Sequence, residues 1–220
     1  MPDTPRSPSA AESPAPAEIE VFADVACPFT HVGLRRFVER RDRGDVALIR
    51  LRVRSWPLEI VNGEPLDPGF VADEVDEIRA QVAPDLFGGF DRHAFPVTSM
   101  PALALAAAAY DVDVSTGEAV SLALRDLLFE QGRDIADADV LAGVAEQHGV
   151  DFAAADPPLE QVRADHAEGR RRGVTGSPHF FTPTGDFFGP SLDVSRDAKG
   201  HLRITADPVG FEQFLDSCFA

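Results

Sequence analysis

The chain has 220 residues, 44% hydrophobic and 26% charged, a balance that suits one compact domain or one domain carrying a large insertion and excludes wholesale disorder. A formal net charge of -17 repels nucleic-acid backbones and anionic membrane surfaces, so neither is expected as a partner. No apolar run approaches the roughly 18 to 20 residues of a membrane span, and two cysteines, Cys27 and Cys218, are too few and too widely spaced for a secreted disulfide framework.

Residues 1–18 are rich in Pro, Ser and Ala and lack an apolar stretch, so they read as a disordered tail rather than a secretory signal, and the protein is expected in the cytoplasm. Residues 19–24 (IEVFAD) alternate apolar and polar and predict a strand running into the turn Val25-Ala26-Cys27-Pro28. Residues 29–41 then carry Phe29, Val32, Leu34, Phe37 and Val38 at helical spacing, with Gly44 as the stop. Residues 46–54 (VALIRLRVR) predict a second strand, parallel to the first because a helix connects them.

The middle of the chain reads as helix throughout. Phe70, Val71, Val75, Ile78 and Val82 share one helical face, residues 101–110 are Ala-rich, and Ser115-Thr116-Gly117-Glu118 has the form of a capping box ahead of a helix over 120–131. Asp137 or Asp139 caps the next helix, which Gly149 closes. A further helix over 157–172 has Pro at its first turn, three Arg at its last and Gly173 beyond. Strand signals return with residues 179–182 (HFFT), a turn, and Phe187-Phe188, which read as a hairpin. The last helix follows Asp207-Pro208 and aligns Phe211, Phe214, Leu215 and Cys218 on one buried stripe.

A cysteine between a strand end and a helix start sits where free amides and the helix dipole favour a thiolate, so Cys27 is expected to be reactive with a lowered pKa, against the alternative of a packed, inert thiol. Pro178, at the entrance to the HFFT strand, is either an ordinary loop proline or a cis-proline whose neighbouring backbone pairs with an extended thiol ligand. His31, four residues after Cys27, either tunes the thiol or points to solvent, and His179 beside Pro178 is equally ambiguous. One Cys and one His make no zinc site, and no metal is expected. Asp24 is either a buried carboxylate near the site or the polar end of its strand. The acidic run at 73–77 reads as a solvated helix face. Cys218, on its apolar stripe, reads as a core residue rather than a partner for Cys27.

Together, residues 22–33 (FADVACPFTHVG) and residues 173–178 (GVTGSP), separated by a helical block, resemble the DsbA-like family of thioredoxin-fold proteins. The resemblance spans nearly all of residues 19–218. It implies an α/β, thioredoxin-like fold with an inserted all-helical domain: core segments 19–66 and 174–220, insertion 67–173. It also implies that Cys27 is the attacking cysteine, that Pro178 is a cis-proline facing it, and that Ser177 offers backbone to a substrate or small thiol. Pro28, Phe29 and His31, on the first turns after Cys27, complete the candidate thiol-binding set.

The sequence departs from the family's dithiol pattern because Thr30 stands where the resolving cysteine is found, giving C-P-F-T. A lone thiolate stops at a mixed disulfide until another thiol arrives. The expected activity is therefore monothiol thiol-disulfide exchange at Cys27, with Thr30 donating to the thiolate and an external small thiol, glutathione or mycothiol, completing the cycle. No tightly bound cofactor is expected, and the sequence sets no oligomeric state. Two alternatives remain. One is a small-thiol-dependent isomerase or transferase related to 2-hydroxychromene-2-carboxylate isomerase and kappa-class glutathione transferase, relatives that carry Ser at the Cys27 position; it predicts an apolar pocket between the insertion and the core. The other is a non-catalytic binding module.

Overall fold

A computed structural model describes residues 17–44, 49–198 and 200–218. In chain order the elements are β1 (Ala17–Ala23), α1 (Pro28–Asp42), β2 (Ile49–Ser55), α2 (Leu58–Asn62), α3 (Pro68–Gln81), a 3-10 turn (Arg92–Ala94), α4 (Met100–Val112), α5 (Val114–Phe129), α6 (Ala138–His148), α7 (Glu160–Arg172), β3 (His179–Thr182), β4 (Gly185–Phe188), β5 (Leu192–Arg196), β6 (Leu202–Ala206) and α8 (Pro208–Cys218). The residues at 1–16, 46–48, 199 and 219–220 named in the sequence reading lie outside the described residues.

Four strands form a mixed sheet in the order β2-β1-β3-β4, with β1 parallel to β2 and antiparallel to β3. Ala17 and Glu18, assigned to the tail from sequence, belong to β1 and pair with Ile49 and Arg50. On one face of the sheet, Ile19, Val21, Leu34, Phe37, Leu51, Phe180, Phe214 and Leu215 pack together, which buries α1 and α8 against it. This is how the stripe of α8 is satisfied, and Cys218 lies within it. Residues 192–206 form a second antiparallel hairpin, β5-β6, which the sequence reading omitted.

The helical block between β2 and β3 is fastened to the edge of the sheet. Among the described residues, strand β2 has no strand neighbour on its outer side, and unpaired edge amides need partners. Glu118 accepts from Leu51 N at 2.7 Å, Tyr110 Oη accepts from Val53 N at 2.8 Å, and Asp165 accepts from Ser55 N at 3.1 Å. Gly117 is required where α4 and α5 cross, because a Cβ there would lie 2.1 Å from the Tyr110 ring.

These contacts correct the capping box. Asp113 caps α5, accepting from Thr116 N at 2.8 Å, so Ser115 is already inside the helix and Glu118 is free to turn towards β2. Asp137 caps α6 and Gly149 closes it in the left-handed conformation. Helix α7 begins at Glu160 rather than at 157, because Pro158 disfavours helical backbone at Pro157. On α3, Val71, Val75 and Ile78 are buried, but Phe70 is exposed, with the Arg196 guanidinium over its ring.

Candidate active site

The turn at residues 24–27 joins β1 to α1. Cys27 is the N-cap residue of α1, in extended conformation, with Pro28 at the first helical position. Its amide donates to Asp24 O at 3.4 Å, and its carbonyl accepts from His31 N at 3.2 Å. Val25 and Ala26 are buried in the core of the helical block, so this turn is gripped from both sides.

The loop before β3 closes over the cysteine. The Ser177–Pro178 peptide bond is cis. Cys27 Sγ donates to Ser177 O at 3.3 Å. The Ser177 hydroxyl accepts from Asp24 N at 2.9 Å and pairs with the Thr30 hydroxyl at 2.7 Å. Cys27, Thr30 and Ser177 thus form one hydrogen-bonded cluster, although 150 residues separate the cysteine from the serine.

Cys27 is only 4% exposed. Burial pushes its thiol up from the ordinary value; the Thr30 hydroxyl and amide and the Ser177 hydroxyl act against this, and the charge of Glu74 adds to the rise. The lowered pKa expected from the helix start is therefore reversed in the closed protein, because loss of hydration outweighs the helix-terminal donors.

Asp24 is a buried carboxylate rather than the polar end of a strand. It accepts from Ala26 N at 2.8 Å, Leu58 N at 2.7 Å and Ser99 Oγ at 3.0 Å, tying the cysteine turn to the starts of α2 and α4. Burial pushes its carboxyl up, against the lowering effect of these donors and of Arg125.

His31 is corrected on both of its expected roles. It neither contacts the thiol nor reaches solvent: its Nε2 bonds Glu130 at 2.7 Å, and its ring lies against Phe87 and Phe129. Glu130 also accepts from Phe87 N at 2.8 Å and Gly88 N at 3.0 Å. Against the upward effect of burial, these donors bring Glu130 down to about 2. Burial likewise holds the His31 imidazole below its usual range. His179 is also occupied, between Thr175 N at 3.2 Å and Asp186 at 2.8 Å.

A groove of about 400 Å³ opens beside the cluster, lined by Phe29, Ser177, Pro178, Phe188, Leu192 and Val194 among others. Phe188 is 60% exposed. This groove lies against β5, and none of its described lining comes from residues 67–173; a separate cleft of about 460 Å³ lies between the insertion and the core segment, lined by Phe70, Glu74, Arg196 and Leu202 among others, with acidic side chains along it. Glu74, read as part of a solvated run, is half-buried, and burial raises its carboxyl to about 7. Arg125, which the sequence reading passed over, is buried under the cysteine turn. Cys218 is buried apart from this cluster; its Sγ donates to Phe214 O at 3.2 Å and burial raises it to about 12. Among the described residues no group of His, Cys, Asp or Glu is arranged to hold a metal ion, and no helix is long and apolar enough to cross a membrane.

Solved structures share this arrangement of elements. A putative protein disulfide isomerase from Nitrosomonas europaea matches with a TM-score of 0.59 at 12% identity over 93% of this chain and 98% of that one. The cytosolic disulfide reductase DsbM from Pseudomonas aeruginosa matches with a TM-score of 0.55 at 16% identity, over 92% and 93%. A 2-hydroxychromene-2-carboxylate isomerase also gives a TM-score of 0.55, at 15% identity over 78% and 88%. No curated protein sequence matches the chain. The sequence profile of the DSBA-like thioredoxin domain matches residues 18–198, which take in the cysteine turn, the helical block and the Ser177–Pro178 loop, and the chain belongs to that family.

Proposed function

We propose that this protein is a monothiol thiol-disulfide oxidoreductase that works through Cys27. The observation that carries the reading is the placement of Cys27 Sγ at the N-cap of α1, 3.3 Å from the carbonyl of Ser177, which with Phe29, Pro178 and Phe188 lines the neighbouring groove. The Cys27 thiolate attacks one sulfur of a disulfide, forming a mixed disulfide and releasing the other sulfur as a thiolate. An external thiol then attacks that mixed disulfide as its thiolate, leaves as the new disulfide and returns Cys27 as a thiolate. Thr30 has no sulfur with which to expel the substrate, so the second step needs the external thiol. The Thr30 amide and hydroxyl and the Ser177 hydroxyl are the donors that favour the Cys27 anion.

Glutathione or mycothiol fits the external role; DsbM from P. aeruginosa, similar in fold, has been solved with GSH. The cytosolic setting named for that protein supports a cytoplasmic reaction. The test is turnover of a mixed disulfide in the presence of a small thiol, which Cys27→Ser abolishes and Cys218→Ala leaves intact.

The burial of Cys27 favours a second reading, in which a small thiol occupies the groove in its reduced form and adds to an electrophile, as an isomerase or transferase would require. Calorimetry separates the two. Saturable binding of the reduced thiol to Cys27→Ser protein supports the second reading, and binding lost with the cysteine supports exchange.

A further inference from the structure

Helix α5 turns its apolar face, Val120, Leu124 and Leu128, into the core, and Arg125 lies among these residues at 2% exposure. Its Nη1 donates to Ser121 O at 2.8 Å and Ser121 Oγ at 2.6 Å, and its Nη2 donates to Asp24 O at 3.2 Å. The Asp24 oxygen that accepts from Arg125 also accepts from the Cys27 amide. One carbonyl therefore separates the guanidinium from the backbone of the reactive residue. Its Nε has no hydrogen-bond partner among the described residues.

A cation this deep is costly to bury, and an apolar side chain of similar volume often gives equal or greater stability. Asp24 meets Arg125 with its carbonyl, while its carboxylate is taken up by Ala26, Leu58 and Ser99. The guanidinium therefore acts on the Asp24 carboxyl only through space, and the Cys27 sulfur lies within reach of the same charge. We propose that Arg125 is a positioning residue that holds the turn at 24–27 through Asp24 O and supplies the positive charge that stabilises Cys27 as it ionises.

The guanidinium keeps its proton at neutral pH, since burial lowers it only to about 10. The ionisable groups that act on it are Asp24, Tyr110, Cys27 and Asp126, and Glu74 acts on Cys27 from α3. Of these, only Cys27 is converted from neutral to anionic in the exchange step. Arg125 therefore offsets part of the desolvation that opposes the thiolate, and Glu74 works against it.

This inference rests on Cys27 reacting as a thiolate, and its test is independent of disulfide turnover. In a Cys218→Ala background, the pH dependence of Cys27 alkylation by iodoacetamide gives the thiol midpoint. Arg125→Gln, which keeps an amide but removes the charge, is expected to raise that midpoint by about one unit, a tenfold loss of thiolate below it. Arg125→Lys is expected to restore at least half of the shift. A midpoint unchanged in Arg125→Gln, or raised equally in both variants, overturns the proposal and leaves a structural role only. If neither variant folds, the guanidinium carbon signal of Arg125 in carbon-13-labelled, otherwise native protein serves instead. It is expected to titrate with the Cys27 midpoint and to lose that step in Cys27→Ser; a signal with no such step overturns the proposal. Failure of exchange with a charge-sensitive midpoint would instead remove the oxidoreductase reading and leave this one standing.

Discussion

The hydroxyl of Thr30 lies 2.7 Å from the hydroxyl of Ser177, and both belong to the cluster that holds the Cys27 sulfur. Ser177 Oγ also accepts from Asp24 N, and in either direction of the Thr30–Ser177 bond one hydroxyl proton of the pair is left for the thiolate, beside the Thr30 amide. The residue that replaces a second cysteine is therefore a hydrogen-bond donor to the first.

Thr30→Val keeps the volume of a fully buried side chain and removes that donor. Loss of a hydrogen bond to a charged sulfur, worth roughly 1.5 to 3 kcal/mol, predicts a tenfold or greater drop in the rate of mixed-disulfide formation. Stopped-flow kinetics with a chromogenic disulfide measures it. Thr30→Cys is expected to change the mechanism instead, forming an internal disulfide with position 27 that mass spectrometry detects as a loss of two hydrogens.

The pH profile of the resting protein follows from burial. Desolvation penalises the anion, so the folded-state pKa of Cys27 is raised and its alkylation accelerates only as pH climbs past the ordinary thiol midpoint of about 8.5. A midpoint clearly below 8 would show that the helix terminus outweighs burial. The measurement is alkylation rate against pH in Cys218→Ala protein.

Glu130→Gln separates scaffold from chemistry. Glu130 is lowered to about 2 from an unfolded value near 4.3, so its contribution to stability is present above about pH 4.3 and is lost as pH falls through about 2. In thermal melts the native protein is expected to lose stability across that window. Glu130→Gln is expected to lack that part of the acid dependence and to melt lower at pH 7, since His31, Phe87 N and Gly88 N lose a charged acceptor. Cys27 alkylation, measured well below the melting temperature, is expected to stay within about threefold of native, because the His31 ring is held by Glu130, Phe87 and Phe129 and makes no hydrogen bond to the sulfur.

Phe188 is an exposed ring on the wall of the groove. Phe188→Ala is expected to leave stability within about 0.5 kcal/mol of native. It is expected to raise KM for an apolar disulfide roughly fivefold, about 1 kcal/mol of lost contact, with kcat little changed. Steady-state kinetics resolves the two parameters.

The elements that carry chemistry were legible in the sequence because they are punctuated. The alternation of IEVFAD, the C-P pair and the V-T-G-S-P loop each mark a boundary, and β1, α1 and β3 lie where those signals put them. The β5-β6 hairpin had a usable signal too, Leu192 with Val194 and Leu202 with Ile204, but each strand has only five residues and the partner of each is the other. Arg125 was marked only as a cation on the apolar face of α5, four residues from Ser121. Ionisation at Cys27 was not legible, since helix position is a local property whereas burial comes from a loop 150 residues away. His31 shows the same limit: spacing along α1 placed it near Cys27, but its partner, Glu130, comes from 99 residues further on.

The central claim is that Cys27 is the sulfur that exchanges. The most direct measurement follows turnover of a mixed disulfide with a small thiol in native, Cys27→Ser and Cys218→Ala proteins, with mass spectrometry locating any adduct. The account predicts an adduct on Cys27 alone, full turnover in Cys218→Ala and none above background in Cys27→Ser. Turnover retained in Cys27→Ser, or an adduct confined to Cys218, would contradict it.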